Sequence, residues 1–399
     1  MKQQTQTKKL NEVAEVKSGF AFKSSEFVKQ GIPIIRISNI TNGQDVMILE
    51  KNQHYYNKEL DERTKNSLLQ NKDILIALSG ATTGKIGIYK DNKPALLNQR
   101  IALIRAKDKK SNDYIYYFLQ TKSQQILKEA YGGAQPNISP NSLKEYEIYY
   151  PKEFEDRQKI VSAIETQFTR LDDAVKSLKA VKQKIQLYKK AVLKKAFEKE
   201  ESWESVLVKD MGNVVTGKTP KTSIPEYYGE EYCFFRPKEL DNGKNVNDSK
   251  IKLSKKGFDL LKKLPEKSVM VTCIGATIGK TGFNRIEGAT NQQINSIIVN
   301  KNKFVPEFLY YLFISEIGQR NIIDNSSSTT LPILNKGRFE KLKFILPHSL
   351  PTQSQIVSTI ESSFSVIDKV EEAVDNSLKK AEQLRKSILK VAFEGRLVK

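Results

Sequence analysis

The constraint that bears hardest on this chain is that part of it is written twice in strict register. Residues 158–165 read QKIVSAIE and residues 354–361 read SQIVSTIE, so that Ile160 and Ile356 stand 196 positions apart. The same offset holds at Phe168/Phe364 and Asp172/Asp368. It still holds where Leu193-Lys194-Lys195-Ala196-Phe197-Glu198 faces Leu389-Lys390-Val391-Ala392-Phe393-Glu394. An offset that survives unbroken over so long a run implies one continuous element, copied. Stacked repeats have periods of about 20–50 residues; this period is far longer and signifies duplicated domains.

The rest of each copy matches more loosely. Leu10-Asn11-Glu12-Val13 faces Val208-Lys209-Asp210-Met211, Gly19 faces Gly217, Arg36 faces Arg236, and Asn42-Gly43 faces Asn242-Gly243. Ser79-Gly80-Ala81-Thr82-Thr83-Gly84-Lys85 faces Ile274-Gly275-Ala276-Thr277-Ile278-Gly279-Lys280, and Asn98-Gln99-Arg100-Ile101 faces Asn291-Gln292-Gln293-Ile294. Tyr116-Tyr117 faces Tyr310-Tyr311, Pro136 faces Pro332, and Pro151 faces Pro347. Here the offset drifts between 193 and 200, the mark of loops gained and lost. Four segments follow: globular parts at 1–151 and 201–347, helical parts at 152–200 and 348–399.

In the globular parts, short apolar runs rich in β-branched residues predict strands at 32–37, 73–78, 95–104 and 145–150, with counterparts in copy two. Glycine and Asn-Gly turns separate them. A helical pattern covers 113–129 and its counterpart 306–317. Each globular part is therefore predicted to be an α+β domain, mainly β. In the helical parts, Ile164, Phe168, Leu171, Val175, Leu178, Val181, Ile185, Tyr188, Val192 and Ala196 recur at spacings of three or four. Ile360, Phe364, Ile367, Val370, Val374, Leu378, Ala381, Leu384, Ile388 and Ala392 repeat the pattern. This is a coiled-coil stripe with some irregular steps. Thr352 and Gln355 fit a capping box at the second helix start. One apolar stripe does not stabilise a helix alone, so each helix is expected to pair with the other. Antiparallel pairing would give a pseudo-twofold internal repeat with a domain near each end of a rod ~60 Å long. A rod of that length can hold two readers the ~34–36 Å apart that one DNA turn requires.

Composition narrows the class. The formal net charge is +20, and a surplus of that size suits a polyanionic partner, for which nucleic acid is the usual candidate. Cys233 and Cys273 lie in apolar surroundings without a CxxC spacing and read as buried thiols of a reducing compartment. His54 and His348 are far apart, so no zinc site can be assembled. No apolar run approaches a membrane span, and the N-terminus has no apolar signal core. The expectation is a cytoplasmic chain without a structural metal.

The order and duplication of these features resemble the specificity subunits of type I restriction-modification systems, and the resemblance covers essentially the whole chain. The family's helix-start pattern, a proline followed by E-Q-x-x-I, resembles Pro151 to Ile160 and Pro347 to Ile356, although Asp156-Arg157 and Thr352-Gln353 stand where glutamate-glutamine is commoner. Its AFxGxL element is matched by Ala392-Phe393-Glu394-Gly395-Arg396-Leu397, and its GxxxGK and NQ elements appear in both copies. The resemblance implies a non-catalytic DNA-binding subunit. Each globular part would be a target-recognition domain for one half of a bipartite double-stranded DNA target. The helices would set the spacing and dock two modification (methyltransferase) subunits. S-adenosylmethionine would belong to those partners, ATP and Mg to restriction subunits, and this chain would hold no cofactor. The biological setting would be DNA methylation and defence against foreign DNA.

Several residues are candidates for contact with DNA. Gly80 to Lys85 and Gly275 to Lys280 resemble phosphate loops, but only three residues precede Gly-Lys, where a Walker loop has four, and Ile86 replaces the hydroxyl in copy one. They read as tight turns in the β core, or as loops whose Thr82, Thr83, Lys85, Thr277 and Lys280 reach DNA. Gln99, Arg100, Gln292 and Gln293 are polar residues in an apolar strand context. They are either buried amides satisfied by backbone or base readers, since Gln pairs with adenine edges and Arg with guanine. Lys17, Arg36, Lys218, Lys221 and Arg236 could hold phosphates or be solvated surface charges. Tyr131 to Gln135 and Ser326 to Thr330 are polar loops that could face DNA. For the helical stem, Ile164, Phe168, Leu171, Leu178, Ile185, Ile360, Phe364, Ile367, Leu378, Ile388 and Phe393 are the expected seam and partner residues. No Asn-Pro-Pro-aromatic methyltransferase motif, helicase box or PD…ExK cluster is present. The alternatives are the specificity subunit of a related type II system and, from another class, a P-loop-like phosphotransferase. The two domains differ in their polar residues, which predicts unlike half-sites.

Overall fold

The computed structural model describes residues 5–49, 51, 53–80, 83–130, 137–327 and 331–397. The chain divides into two compact units, Met1–Leu178 with Ser377–Lys399, and Lys179–Asn376. Both long helices, Phe154–Ala196 and Leu350–Phe393, cross a unit boundary. Each unit therefore joins one α+β globular domain to a stretch of each helix.

In the first unit a five-stranded sheet runs in the order Ala14–Ser18, Ile101–Ala106, Asp73–Ala77, Ile86–Tyr89, Gln44–Asp45. A three-stranded sheet runs in the order His54–Tyr56, Ile32–Ile35, Leu96–Leu97, the last two parallel. The strand Asp73–Ala77 is buried along its whole length, and side chains alternate between faces. Ile74 and Ile76 join the cluster built on the helices, whereas Leu75 and Ala77 join Ile35 and Leu97 of the smaller sheet. A strand covered on both faces reads as an apolar run, as Ile74 to Ala77 do; Asp73 at its start is buried in an ion pair with Arg105 at 2.5 Å.

The second unit repeats the plan. Gly212–Thr216, Ile294–Val299, Val269–Thr272 and Thr281–Phe283 form its larger sheet, and Tyr232–Phe235 pairs parallel with Gly288–Thr290 in its smaller one. Val269 and Val271 face the helices while Met270 faces the other way. A two-stranded ribbon ties the ends of each domain together: Thr5–Lys9 with Glu147–Pro151, and Glu204–Leu207 with Lys343–Leu346. Both cysteines are buried thiols, as the sequence predicts.

Four expectations are corrected. The run 95–104 is not one strand: Leu96–Leu97 belongs to the smaller sheet and Ile101–Ala106 to the larger. Between them the Gln99-Arg100 turn carries the chain across, because Asn98 supplies the turn bonds that end the first strand: its carbonyl accepts from Ile101 N–H at 3.1 Å. The predicted helix 113–129 is two, Asn112–Thr121 and Ser123–Ala130, and its counterpart breaks at Ser315 into Pro306–Ile314 and Glu316–Asp324. Ser315 breaks it chemically, its Oγ accepting from Gly318 N–H to cap the second piece. The second long helix starts at Leu350, two residues before Thr352, so the Thr352/Gln355 box is not its cap; Thr352 N–H reaches Ser349 Oγ at 3.4 Å, and Pro351 suits the first turn because it has no N–H to orphan. Finally, Val181, Tyr188, Val370 and Leu384 are not seam residues, being 39%, 58%, 44% and 50% exposed. Two helices cover only a narrow band of each other, and the apolar stripe is wider than that band.

Other residues of the stripe are buried or half-buried within each unit, several of them in the domain cores. In the first, Ile164, Phe168, Ile388, Leu389 and Ala392 are buried in the domain core, with Leu171 and Phe393 packed against it. In the second, Ile360 joins the core with Phe364 against it, and Ile185 and Ile367 are buried. Leu178 and Leu378 are half-buried. The helical segments run antiparallel in each unit. In the second unit Lys182 pairs with Asp375 at 2.6 Å, and Lys189 with Asp368 at 2.8 Å. In the first, Arg385 pairs with Asp172 and lies 4.0 Å from the Phe168 ring. Lys189–Asp368 and Asp172–Arg385 are the same pair in the two copies, each partner shifted by 196 residues.

Candidate nucleic-acid interface

In each domain several of the candidate residues lie at or beside one place, the turn where the chain crosses from smaller to larger sheet. In the first domain Gln99 N–H bonds Phe20 O at 2.9 Å and Leu78 N–H bonds Arg100 O at 2.9 Å. Asn98 N–H bonds Ile35 O at 3.0 Å, placing Arg36 directly beside the turn. In the second domain Cys273 N–H bonds Gln293 O at 2.7 Å and Asn291 N–H bonds Phe235 O at 3.1 Å, which seats Arg236 in the same way. Both turns are outward: Gln99, Arg100 and Gln292 are exposed and Gln293 is half-buried. The expectation of amides inside a strand is thus replaced by turn residues at the surface.

The paired positions carry different electrostatics. Arg36 N–H is held by Asn39 Oδ1 at 2.8 Å, and its guanidinium sits 5.8 Å from the Phe27 ring with no ion pair among the described residues. Phe27 stacks on His54 at 4.5 Å, and burial followed by the Arg36 charge holds that imidazole below its ordinary pKa. In the second domain the residue three positions on is a carboxylate. Glu239 accepts from Arg236 N–H at 2.9 Å and pairs with its guanidinium at 3.3 Å, neutralising it. Lys280 is likewise paired, with Asp241 at 2.5 Å. Lys85 is half-buried and makes no ion pair among the described residues.

The glycine-bounded loops are hairpin turns. Gly80, Gly84, Gly275 and Gly279 all take positive φ, and the loops join antiparallel strands, Asp73–Ala77 to Ile86–Tyr89 and Val269–Thr272 to Thr281–Phe283. A phosphate loop leads from a strand into a helix; these lead from strand to strand, which removes the context a phosphotransferase needs. Thr83 is buried with its Oγ donating to Gly80 O, Thr277 is exposed, and Thr82 lies outside the described residues, as do Tyr131 to Gln135 and Ser328 to Thr330. Lys218 and Lys221 are exposed on the segment that borders the second turn, Lys218 N–H bonding Thr290 O at 3.0 Å. Lys17 does not join the cluster; it lies along the strand Ala14–Ser18 and pairs with Glu15 at 2.5 Å.

Reasoning from the sequence missed the residues that fix each helix to its domain. Arg157, 5% exposed, donates to Pro151 O at 2.6 Å, Lys152 O at 2.9 Å and Ser111 Oγ at 3.0 Å. Gln353, fully buried, donates to Pro347 O at 2.9 Å and Lys303 O at 3.1 Å, and accepts from Val305 N–H. Both occupy the position where the helix-start pattern departs in copy one, and both serve the carbonyl of the equivalent proline.

Two equivalent α+β domains, each presenting an exposed polar turn, and antiparallel helical segments in each unit define the class: a duplicated-domain protein with two candidate binding faces. The family follows from comparison. The model of the type I restriction modification DNA specificity domain matches residues 2–187 and again 200–380, and the chain belongs to that family. It is 26% identical over 420 residues to the Type I restriction enzyme EcoBI specificity subunit of Escherichia coli, covering 97% of this chain and 85% of that one. Its fold is similar to a chain from a structure of complex assembly and conformational transition of the type I R-M system, with TM-score 0.77, 15% identity and 98% of both chains covered. It also resembles the HsdS subunit of Thermoanaerobacter tengcongensis, with TM-score 0.57, 14% identity and 98% and 97% coverage.

Proposed function

We propose that this chain is the DNA-specificity subunit of a type I restriction-modification complex, in which each globular domain reads one half of a bipartite, asymmetric DNA target and the helices dock two methyltransferase subunits. The observation that carries the reading is the pair of structurally equivalent exposed turns, Gln99-Arg100 and Gln292-Gln293, with unlike side chains and unlike surrounding charge. A formal charge of +20 supplies the phosphate attraction. Docking is supported by the helical segments of the second unit, where Val181, Leu187, Tyr188, Val366 and Val370 line an apolar groove of about 610 Å³. The chain itself binds without catalysing. S-adenosylmethionine belongs to the methyltransferase partners, and ATP and Mg to restriction subunits. No described helix is long and apolar enough to cross a membrane, in keeping with a cytoplasmic complex.

The test is reconstitution. The purified chain with DNA and S-adenosylmethionine is expected to transfer no methyl group, and the complex with its methyltransferase subunits to methylate DNA. Methylation, cleavage or nucleotide hydrolysis by the chain alone contradicts the proposal. In the complex, Lys85→Ala is expected to weaken binding similarly at all sequences and to lower the slope of log K against log salt by about one.

A further inference from the structure

Resting on the reading of both domains as DNA readers, we propose that Arg100 and Gln293 are specificity-determining residues at equivalent points, Arg100 selecting a guanine in one half-site and Gln293 an adenine in the other. The equivalence is set by backbone, independent of any alignment. Leu78 N–H to Arg100 O (2.9 Å) is repeated as Cys273 N–H to Gln293 O (2.7 Å). Ile101 N–H to Asn98 O (3.1 Å) is repeated as Ile294 N–H to Asn291 O (3.2 Å). Asn98 Oδ1 accepts from Arg100 N–H at 3.4 Å, and Asn291 Oδ1 from Gln293 N–H at 3.2 Å. The two backbones are pinned alike, and the side chains that leave them differ.

The preceding position is glutamine in both copies, Gln99 and Gln292, so it cannot tell one half-site from the other; Gln292 is moreover occupied by Thr219, whose hydroxyl donates to its Oε1 at 2.5 Å. Discrimination therefore falls to the second turn residue. Arg100 is exposed and its guanidinium has no ion pair among the described residues, whereas Arg105, Arg157, Arg236 and Arg385 are each held by a carboxylate. Its five donors remain for a ligand, and their fork matches the O6 and N7 acceptors of guanine. Gln293 is oriented: Asn291 Nδ2 donates to its Oε1 at 2.9 Å. That bond fixes the amide plane and leaves the Nε2 protons and the second Oε1 lone pair. Those are the donor and acceptor that adenine N7 and N6 require.

The experiment maps the methylated motif made in cells by the complex carrying the wild-type chain, R100Q or Q293R. R100Q is expected to change one guanine position in one half of the motif and leave the other half intact; Q293R is expected to alter one adenine position in the other half. In competition binding, the preference of the wild-type complex for the native guanine over adenine, on the order of 10- to 100-fold, is expected to vanish in R100Q. Motifs left unchanged by both substitutions overturn the proposal while leaving the DNA-specificity reading standing. Loss of R100Q methylation at every sequence with a native melting temperature assigns Arg100 to a phosphate and also overturns it. Should R100Q fail to fold, Q293R decides alone. A wild-type complex whose methylation follows no sequence refutes the underlying reading instead.

Discussion

Gly19 and Gly217 border the reading turns so closely that a side chain has no room. A Cβ on Gly19 would lie 2.3 Å from Asn98 O, and one on Gly217 2.2 Å from Asn291 O, both backbone atoms that cannot swing aside. Gly217→Ala is expected to cost about 1–3 kcal/mol and to shift the Gln292-Gln293 turn. Urea unfolding measures the first effect and loss of discrimination at one half-site the second; a variant with wild-type values for both shows that the turn gives way freely. Cys273 makes a separate case. Burial pushes its thiol up to about 12, so at neutral pH it holds almost no thiolate, the form that reacts. Neither cysteine is expected to be alkylated in the native protein at pH 7.5, and both should be after unfolding; rapid native labelling of Cys273 contradicts its burial. At this scale the candidate turn was half legible. The recurring Asn-Gln marks the position, but the flanking apolar runs 95–97 and 101–104 read as one strand because nothing local says that they belong to different sheets. The same holds for Arg236 and Lys280, whose partners Glu239 and Asp241 neutralise them only once the chain has folded.

Elements were more legible than residues, and the long helices most of all. A constant offset of 196 across both helices carries over into matching contacts: Lys189–Asp368 and Arg385–Asp172 are one interaction formed twice. It has a direct test. Asp172→Lys places like charges together and is expected to lower stability by on the order of 1 kcal/mol, and Arg385→Asp in the same chain to restore most of it. Additive losses in the double variant would show that the pair does not act as one. The break at Ser315 and the start at Ser349 escaped notice because capping depends on which backbone N–H groups the fold leaves unpaired. The exposed Val181, Tyr188, Val370 and Leu384 escaped for another reason: periodicity marks an apolar stripe but not how much of it a partner covers. The anchors Arg157 and Gln353 differ in chemistry yet satisfy the carbonyls of Pro151 and Pro347, a likeness visible only in three dimensions.

For the whole molecule, duplication is the organising fact. Two units share the strand order of four strands of the larger sheet, turn geometry and helix attachment, and differ where a ligand would be read: an Arg36 and Arg100 with no ion pair among the described residues in one, a neutralised Arg236 and an oriented Gln293 in the other. On the proposed function, duplicating a reader and letting the side chains of its reading turn diverge yields a protein that recognises two different sequences with one scaffold. The fold class and the repeat were legible because both rest on periodic patterns that survive divergence. The reading surface was not, since it is assembled from segments about 60–80 residues apart in each copy, such as Gly19 with Asn98 and Gly217 with Asn291. The most direct measurement is the methylation pattern of genomic DNA in a host expressing this chain with its methyltransferase subunits. The account predicts a single motif of two unlike half-sites separated by a fixed gap; a motif with identical halves, or one uninterrupted block, would contradict it.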